Sequence, residues 1–155
     1  LSISSSQVEN DGFLYKKMIL TIHFQNDNER EVWANINLDD FEDNSVEKSD
    51  IVIQRDLASG GAFYFLFPVN ETVYYFSDEQ TMDFVSCLEH FPISGLTSIE
   101  YLLQEDHLLT GNPFCVITNE NRLAILNYEK NSIINNLDHT EDVSLSVMVY
   151  QNRIK

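Results

Sequence analysis

The sequence predicts an α+β fold, a mainly antiparallel sheet of hairpins with one or two helices packed on one face. Three observations favour this class. Several short segments alternate apolar and polar residues, one segment repeats apolar residues at helical spacing, and strands precede and follow the helices without regular alternation. The 155 residues are 43% hydrophobic with only five glycines and three prolines. This composition is typical of one folded domain, and we expect a single domain over residues 1–155.

The first part of the chain is predicted to form a hairpin followed by an acidic loop. Aromatic and aliphatic residues dominate 13–24, and alternation resumes over 31–38. We expect these two segments to pair around the turn-forming residues 26–28. The run 39–50 holds six acids and one lysine, so it is predicted to be a solvated loop or a frayed helical turn.

A second hairpin is predicted in the most aromatic part of the chain. A short strand is expected at 51–55, and Gly60-Gly61 then supplies a turn. The blocks 62–67 and 71–76 are predicted to pair with each other. Their nearly continuous apolar character suggests burial on both faces.

The main helix is predicted to begin at Ser77 and to run to about Phe91. Ser77 is a suitable N-cap, acidic residues follow it, and Pro92 is expected to stop the helix. A second short helix is predicted over 98–105. Both helices are expected to lie between the strand-forming halves of the chain.

The last third of the chain is predicted to return to strands. The segments 114–118 and 122–126 flank the turn residues 119–121 and are expected to form a hairpin. The segment 143–150 alternates valine and leucine with serine, methionine and tyrosine, which is the clearest amphipathic strand in the sequence.

Cysteine content and hydropathy bear on the compartment. Cys87 and Cys115 are the only cysteines, and because a domain of this size does not require a bridge, we expect two free, mostly buried thiols. Residues 1–7 carry no basic segment of a signal peptide, and no apolar run approaches the roughly 18 residues of a membrane span. We therefore expect a cytoplasmic protein without a membrane partner.

The charge balance excludes several classes of partner. Nine basic residues stand against 25 acidic ones, for a formal net charge of -16. Such a surface repels nucleic acid, anionic lipid and phosphorylated substrates, whereas it attracts basic proteins. A basic protein partner is therefore expected, with no direct binding of nucleic acid.

Motifs for catalysis, metals and cofactors are absent from the sequence. There is no CxxC or HxxxH pair for zinc, no GxSxG elbow, and no glycine-rich phosphate loop. The acidic run 39–50 lacks the glycine and the spacing of a calcium loop, which leaves a weak cation sink as the alternative to a solvated loop. We predict no catalytic residues, no cofactor and no metal site.

The acidic loop is the predicted partner-binding site, since recognition residues usually lie in loops. Phe41, Trp33 or Tyr128 is the predicted aromatic anchor, with core packing as the alternative for each. The predicted contact residues are Asp39, Asp40, Phe41, Glu42, Asp43, Glu47 and Asp50.

These features favour a small acidic inhibitor, of the kind represented by immunity or antitoxin proteins that neutralise a basic, nuclease-like toxin by occluding its cleft. One alternative is a structural or adaptor domain of a larger assembly. Another is an enzyme with a non-contiguous site, which a concave pocket joining two histidines and a carboxylate would support. The available histidines are His23, His90, His107 and His139.

Overall fold

Two antiparallel sheets and one α-helix make up the part of the chain that the computed structural model describes. The described residues are 2–7, 14–25, 29–58, 61–70, 72–76, 83–94, 101–102, 113–127, 133–135, 137 and 140–153. The strands are β1 (Ser2–Gln7), β2 (Leu14–Phe24), β3 (Glu31–Ile36), β4 (Ile51–Ala58), β5 (Gly61–Pro68), β6 (Val73–Phe76), β7 (Tyr101–Leu102), β8 (Pro113–Ile117), β9 (Arg122–Asn127), β10 (Ile133–Asn135) and β11 (Glu141–Arg153). The helix is α1 (Phe84–Ser94).

The larger sheet is organised around β11. Its strand order is β1-β2-β11-β9-β8-β6, and β10 also pairs with β11. The register of β11 against β2 runs from Glu141 opposite Phe24 to Tyr150 opposite Leu14, with an irregularity at Val149/Tyr150. The smaller sheet has the order β3-β4-β5-β7.

The main core lies between the two sheets. Leu20 of β2 and Leu145 of β11 belong to the same buried cluster as Ile53 of β4 and Leu66 of β5. Burial of each such side chain contributes roughly 1.5–3 kcal/mol. Since one cluster draws on both sheets, they face each other across it as in a sandwich.

The predicted alternation of 143–150 is confirmed by burial. Val143, Leu145, Val147 and Val149 are buried, whereas the residues between them are partly exposed. The predicted hairpin of 114–118 and 122–126 is also confirmed, because β8 and β9 pair in register across the turn. Asn121 takes a positive φ of 63° in that turn, a conformation that asparagine tolerates better than most residues.

The two other predicted hairpins are wrong in their pairing. In the first, β2 pairs with β1 and β11, and β3 pairs with β4. Likewise β5 pairs with β4 and β7, whereas β6 pairs with β8. In both cases the short connection crosses from one sheet to the other instead of folding the chain back on itself.

The helix differs from the prediction at both ends. The proposed cap Ser77 lies outside the described residues, and α1 begins after Asp83, whose Oδ1 accepts a hydrogen bond from the Ser86 N–H at 2.8 Å. The helix continues through Pro92 to Ser94, so the predicted stop at this proline is wrong. Of the predicted helix at 98–105, the described residues 101–102 form strand β7 instead.

Cys87 and Cys115 form a disulfide, so the expectation of two free thiols is wrong. Both residues are fully buried, and their Cα atoms are 5.7 Å apart. They form a second small cluster with Leu123 and Ile125, against which Phe84 of α1 is packed. The bridge therefore ties α1 to β8.

Within the described ranges no helix is long and apolar enough to cross a bilayer.

Candidate functional site

The acidic segment between β3 and β4 is held by its own side chains. The Asn37 Oδ1 accepts hydrogen bonds from the N–H groups of Asp39 and Asp40, at 3.0 and 3.2 Å. The Asn37 side-chain amide donates to the Asp43 carbonyl at 3.0 Å, and the Asn37 N–H donates to Asn44 Oδ1 at 2.8 Å. The 3₁₀ turn Val46–Lys48 follows. The loop is thus more ordered than the frayed segment that the sequence allowed.

Asp50 anchors this loop to the β8–β9 turn. Its side chain is buried, and its two oxygens accept hydrogen bonds from the Leu38 N–H and the Asn119 N–H, each at 2.7 Å. Burial raises the pKa of Asp50 to about 6, against the opposing effect of the two backbone hydrogen bonds. Asp50 therefore holds the loop in place and offers no surface to a partner.

Asp39 is also directed inward. The Arg122 guanidinium lies 3.0 Å from Asp39 Oδ1, and the two side chains are only 14% and 1% exposed. Glu120 lies 3.5 Å from the same guanidinium. A carboxylate in this position is paired with a counter-charge from β9, and almost none of its side chain is exposed to a partner.

Phe41 and Asp43 are engaged within the protein as well. Phe41 is half-buried and packs against the main core, which leaves little of the ring for an exposed anchor. The Lys48 ammonium lies 2.6 Å from Asp43 Oδ2, and this hydrogen bond holds the pKa of Asp43 below its ordinary value. The same contact raises the pKa of Lys48.

Three of the predicted contact residues remain at the surface. Asp40, Glu42 and Glu47 are exposed, and Glu120 of the β8–β9 turn is exposed beside them. Asp40 and Glu120 line one pocket of about 280 Å³. We refer to Asp40, Glu42, Glu47 and Glu120 as the acidic surface.

The β8–β9 turn is the part of this site that sequence reasoning missed. The Asn119 side-chain amide donates to the Lys48 carbonyl at 2.9 Å, which brings the turn against the 3₁₀ turn. The sequence predicted a turn at 119–121 but did not predict that this turn contacts the acidic loop. Arg122 follows that turn in the sequence, and an arginine in so acidic a chain has many possible ion-pair partners. The sequence does not show that the buried Asp39 is the one it pairs with.

Of the predicted aromatic anchors, Trp33 keeps an exposed face. Trp33 is 46% exposed on β3, and its ring meets that of Phe67 edge-on at 5.3 Å. Tyr128 lies outside the described residues. Trp33 is therefore the described aromatic with the largest free face, although no contact joins it to the acidic surface.

Of the histidines proposed for an enzyme, His23 is the one whose side chain the structure describes. His23 lies beside Asp142, with 2.8 Å between Nδ1 and Oδ1. His107, His139 and the side chain of His90 fall outside the described part of the chain. Among the described residues no group of three or more histidine, cysteine, aspartate or glutamate side chains is placed to hold a metal ion.

The acidic surface combines exposed carboxylates with a backbone that side-chain hydrogen bonds hold in one conformation. Exposed carboxylates in a fixed arrangement attract basic groups in general. No family model, no curated protein and no solved structure matches this chain.

Proposed function

We propose that the protein binds a basic, nuclease-like protein through the acidic surface and occludes that partner's anion-binding cleft, as an immunity protein does with its toxin. The observation that supports this proposal is the ordered acidic loop, in which Asn37 and Asp50 hold the backbone while Asp40, Glu42 and Glu47 stay exposed. In this role the protein binds its partner and catalyses no reaction.

The physical basis is mimicry of phosphate by carboxylate. Carboxylates accept paired hydrogen bonds from arginine, as phosphates do. A loop that is already ordered loses little conformational entropy on binding, so more of the contact energy appears as affinity. The net charge of -16 would raise the rate of encounter with a basic partner at low salt.

The disulfide bears on where this binding takes place. Disulfides persist in oxidising compartments and are rare in the cytosol. We therefore propose that the protein meets its partner in an oxidising compartment, in place of the cytoplasm expected from the sequence. Extraction from its source with a thiol-blocking reagent, followed by mass spectrometry, tests this: unmodified cysteines support the proposal, and two blocked thiols contradict it.

The experiment for the partner uses matched charge-neutralised triples. The first triple carries Glu42→Gln, Glu47→Gln and Glu120→Gln within the acidic surface. The control triple carries Glu29→Gln, Glu31→Gln and Glu89→Gln, three exposed residues outside it. Both lose three charges, so a difference between them reports position and not net charge.

The immobilised wild type is used to capture proteins at physiological salt, and any basic protein retained is purified and titrated against each triple. We expect the acidic-surface triple to bind at least about tenfold more weakly, a loss of about 1.4 kcal/mol, while the control binds like wild type. Equal losses in the two triples, or no basic protein retained at this salt, contradict the proposal. Inhibition of the partner's nuclease activity is the functional readout.

A further inference from the structure

Ser2, His23 and Asp142 occupy one row across three neighbouring strands. Ser2 of β1 is directly opposite His23 of β2, and Asp142 of β11 is opposite His23 on the other side. Directly opposite residues share a face of the sheet, with Cβ atoms about 4.5–5.5 Å apart. The hydroxyl, the imidazole and the carboxylate are therefore adjacent, in that order.

Asp142 orients the imidazole through one ring nitrogen. Its Oδ1 lies 2.8 Å from His23 Nδ1, and the two side chains are 22% and 39% exposed. A carboxylate at this nitrogen favours the tautomer with the proton on Nδ1, so that Nε2 is the nitrogen that can take a proton from a hydroxyl. The ring is thus arranged as a general base with a carboxylate behind it.

The same three residues line an open cleft of about 610 Å³. Gln25 and Thr140, which also line it, carry side-chain donors suited to an oxygen that gains negative charge. Leu137, fully exposed, forms an apolar part of the wall. The net charge of -16 disfavours anionic substrates, so the cleft suits a small neutral or cationic ester.

We propose that Ser2, His23 and Asp142 form a nucleophile, base and carboxylate site that hydrolyses small neutral or cationic esters through an acyl group on Ser2. This site is distinct from the acidic surface, and it gives a definite form to the alternative of an enzyme with a non-contiguous site. Ser2 and His23 act as the catalytic residues, and Asp142 is a positioning residue.

The reaction balances with water as the only co-reactant. Ser2 Oγ attacks the acyl carbon and its proton passes to His23 Nε2; the bond to the leaving alcohol breaks, and the alcohol takes that proton. Water then attacks the acyl group while Nε2 accepts one of its protons. The bond to Ser2 Oγ breaks, Ser2 regains a proton from Nε2, and the free acid leaves.

A serine-directed fluorophosphonate is the first probe, with the labelled residue identified by mass spectrometry. We expect an adduct on Ser2 in the wild type and none at that position in Ser2→Ala. In His23→Gln the labelling rate should fall by about 100-fold or more, the usual contribution of a general base. Hydrolysis of 4-nitrophenyl acetate should fall in parallel.

The neighbouring row of the same sheet supplies a control. Ser4 is opposite Thr21, and Thr21 is opposite Ser144, with 3.1 Å between the Thr21 and Ser144 hydroxyl oxygens. This row has hydroxyls but no imidazole. Absence of labelling on Ser2 in the folded wild type, labelling of Ser4 at the same rate, or labelling of Ser2 unchanged in His23→Gln would each overturn the proposal.

Asp142→Asn tests positioning separately through the nitrogen NMR signals of the His23 ring. We expect the wild type to show the Nδ1-protonated tautomer, and the variant to lose that preference together with most of its labelling. An unchanged tautomer with unchanged labelling shows that Asp142 does not position the ring. Ser2→Ala leaves the acidic surface intact, so partner binding and labelling succeed or fail independently.

Discussion

The hydroxyl of Tyr64 donates a hydrogen bond to the carboxylate of Glu141, and this bond joins β5 of the smaller sheet to β11 of the larger one. The Tyr64 ring is buried and lies against the ring of Phe24, with centroids 5.3 Å apart. Burial, followed by the bond to Glu141, raises the pKa of Tyr64. The contact thus connects the two sheets through a polar group inside their common core.

Tyr64→Phe should destabilise the fold because it leaves the Glu141 carboxylate without this donor. We expect a loss of about 1.5–3 kcal/mol, the range for hydrogen bonds to charged groups, measured by urea unfolding. Alkaline titration of tyrosine absorbance gives a second measure. The wild type and Y64F should ionise the same number of tyrosines while folded, and a smaller number in Y64F would show that Tyr64 titrates freely.

Arg122→Met should be far more damaging than its position at the start of β9 suggests. It removes the ion-pair partner of the buried Asp39, and breaking one side of a buried pair costs roughly 3–5 kcal/mol. Arg30→Met is the matched control, because Arg30 is 82% exposed and lies 3.9 Å from Asp56. Chemical unfolding should give a much lower free energy of unfolding for Arg122→Met than for Arg30→Met. Equal values would show that the contact with Asp39 does not stabilise the fold.

The buried Asp50 should make stability depend on pH. The folded carboxyl has a pKa of about 6 against 3.8 for an ordinary aspartate, so the folded state holds this proton more tightly than the unfolded state. The free energy of unfolding should therefore fall by about 2 kcal/mol as the pH rises from about 4 to 6.5, and stay level above.

Asp50→Asn isolates this contribution from that of the other carboxylates. The variant cannot titrate at this position, so the wild-type stability should decline relative to D50N across that interval. The negative charges of Asp39 and Glu120 also raise the pKa of Asp50. Replacing Glu120 with glutamine should therefore lower this pKa and narrow the pH interval over which the stability declines. Parallel pH profiles for wild type and D50N would contradict the assigned cause.

Reduction of the disulfide should weaken the fold without abolishing it. Cys87 and Cys115 are 28 residues apart in sequence, and in the chain-entropy account closure of a loop of this length contributes about 3.5 kcal/mol. Urea unfolding with and without reductant measures the difference. A Cys87→Ala/Cys115→Ala variant should not respond to reductant, and equal stability of the oxidised and reduced wild type would exclude a stabilising role.

The local structure was more predictable from sequence than the pairing of strands. Alternation from Val143 to Tyr150 identifies a strand and its buried face because both depend on neighbouring residues alone. The pairing partner of a strand, in contrast, depends on distant residues. The polar sequence at 26–28 is equally compatible with a hairpin and with a connection to a second sheet. Residues 2–7 were not predicted as a strand, since four of the six are serine and the segment has no apolar alternation.

The candidate site shows the same limit. Asp39, Asp40 and Asp50 look alike in sequence, yet two are buried and one is exposed. What separates them is contact with Asn119 and Arg122, which lie in the β8–β9 turn and at the start of β9, far away in the sequence. The disulfide was missed for a similar reason, because the approach of Cys87 to Cys115 depends on where α1 docks and not on residues near either cysteine.

The central place of β11 in the larger sheet has a consequence for synthesis on the ribosome. His23 of β2 meets Asp142 of β11 across 119 positions of the chain, whereas β3, β4 and β5 pair with near neighbours. The smaller sheet can therefore assemble while the chain is still emerging. In contrast, the edge of β2 that pairs with β11 stays unpaired until β11 has been synthesised. Such an apolar edge is prone to intermolecular pairing. Nascent chains that stall between these two strands should be the form most dependent on chaperones.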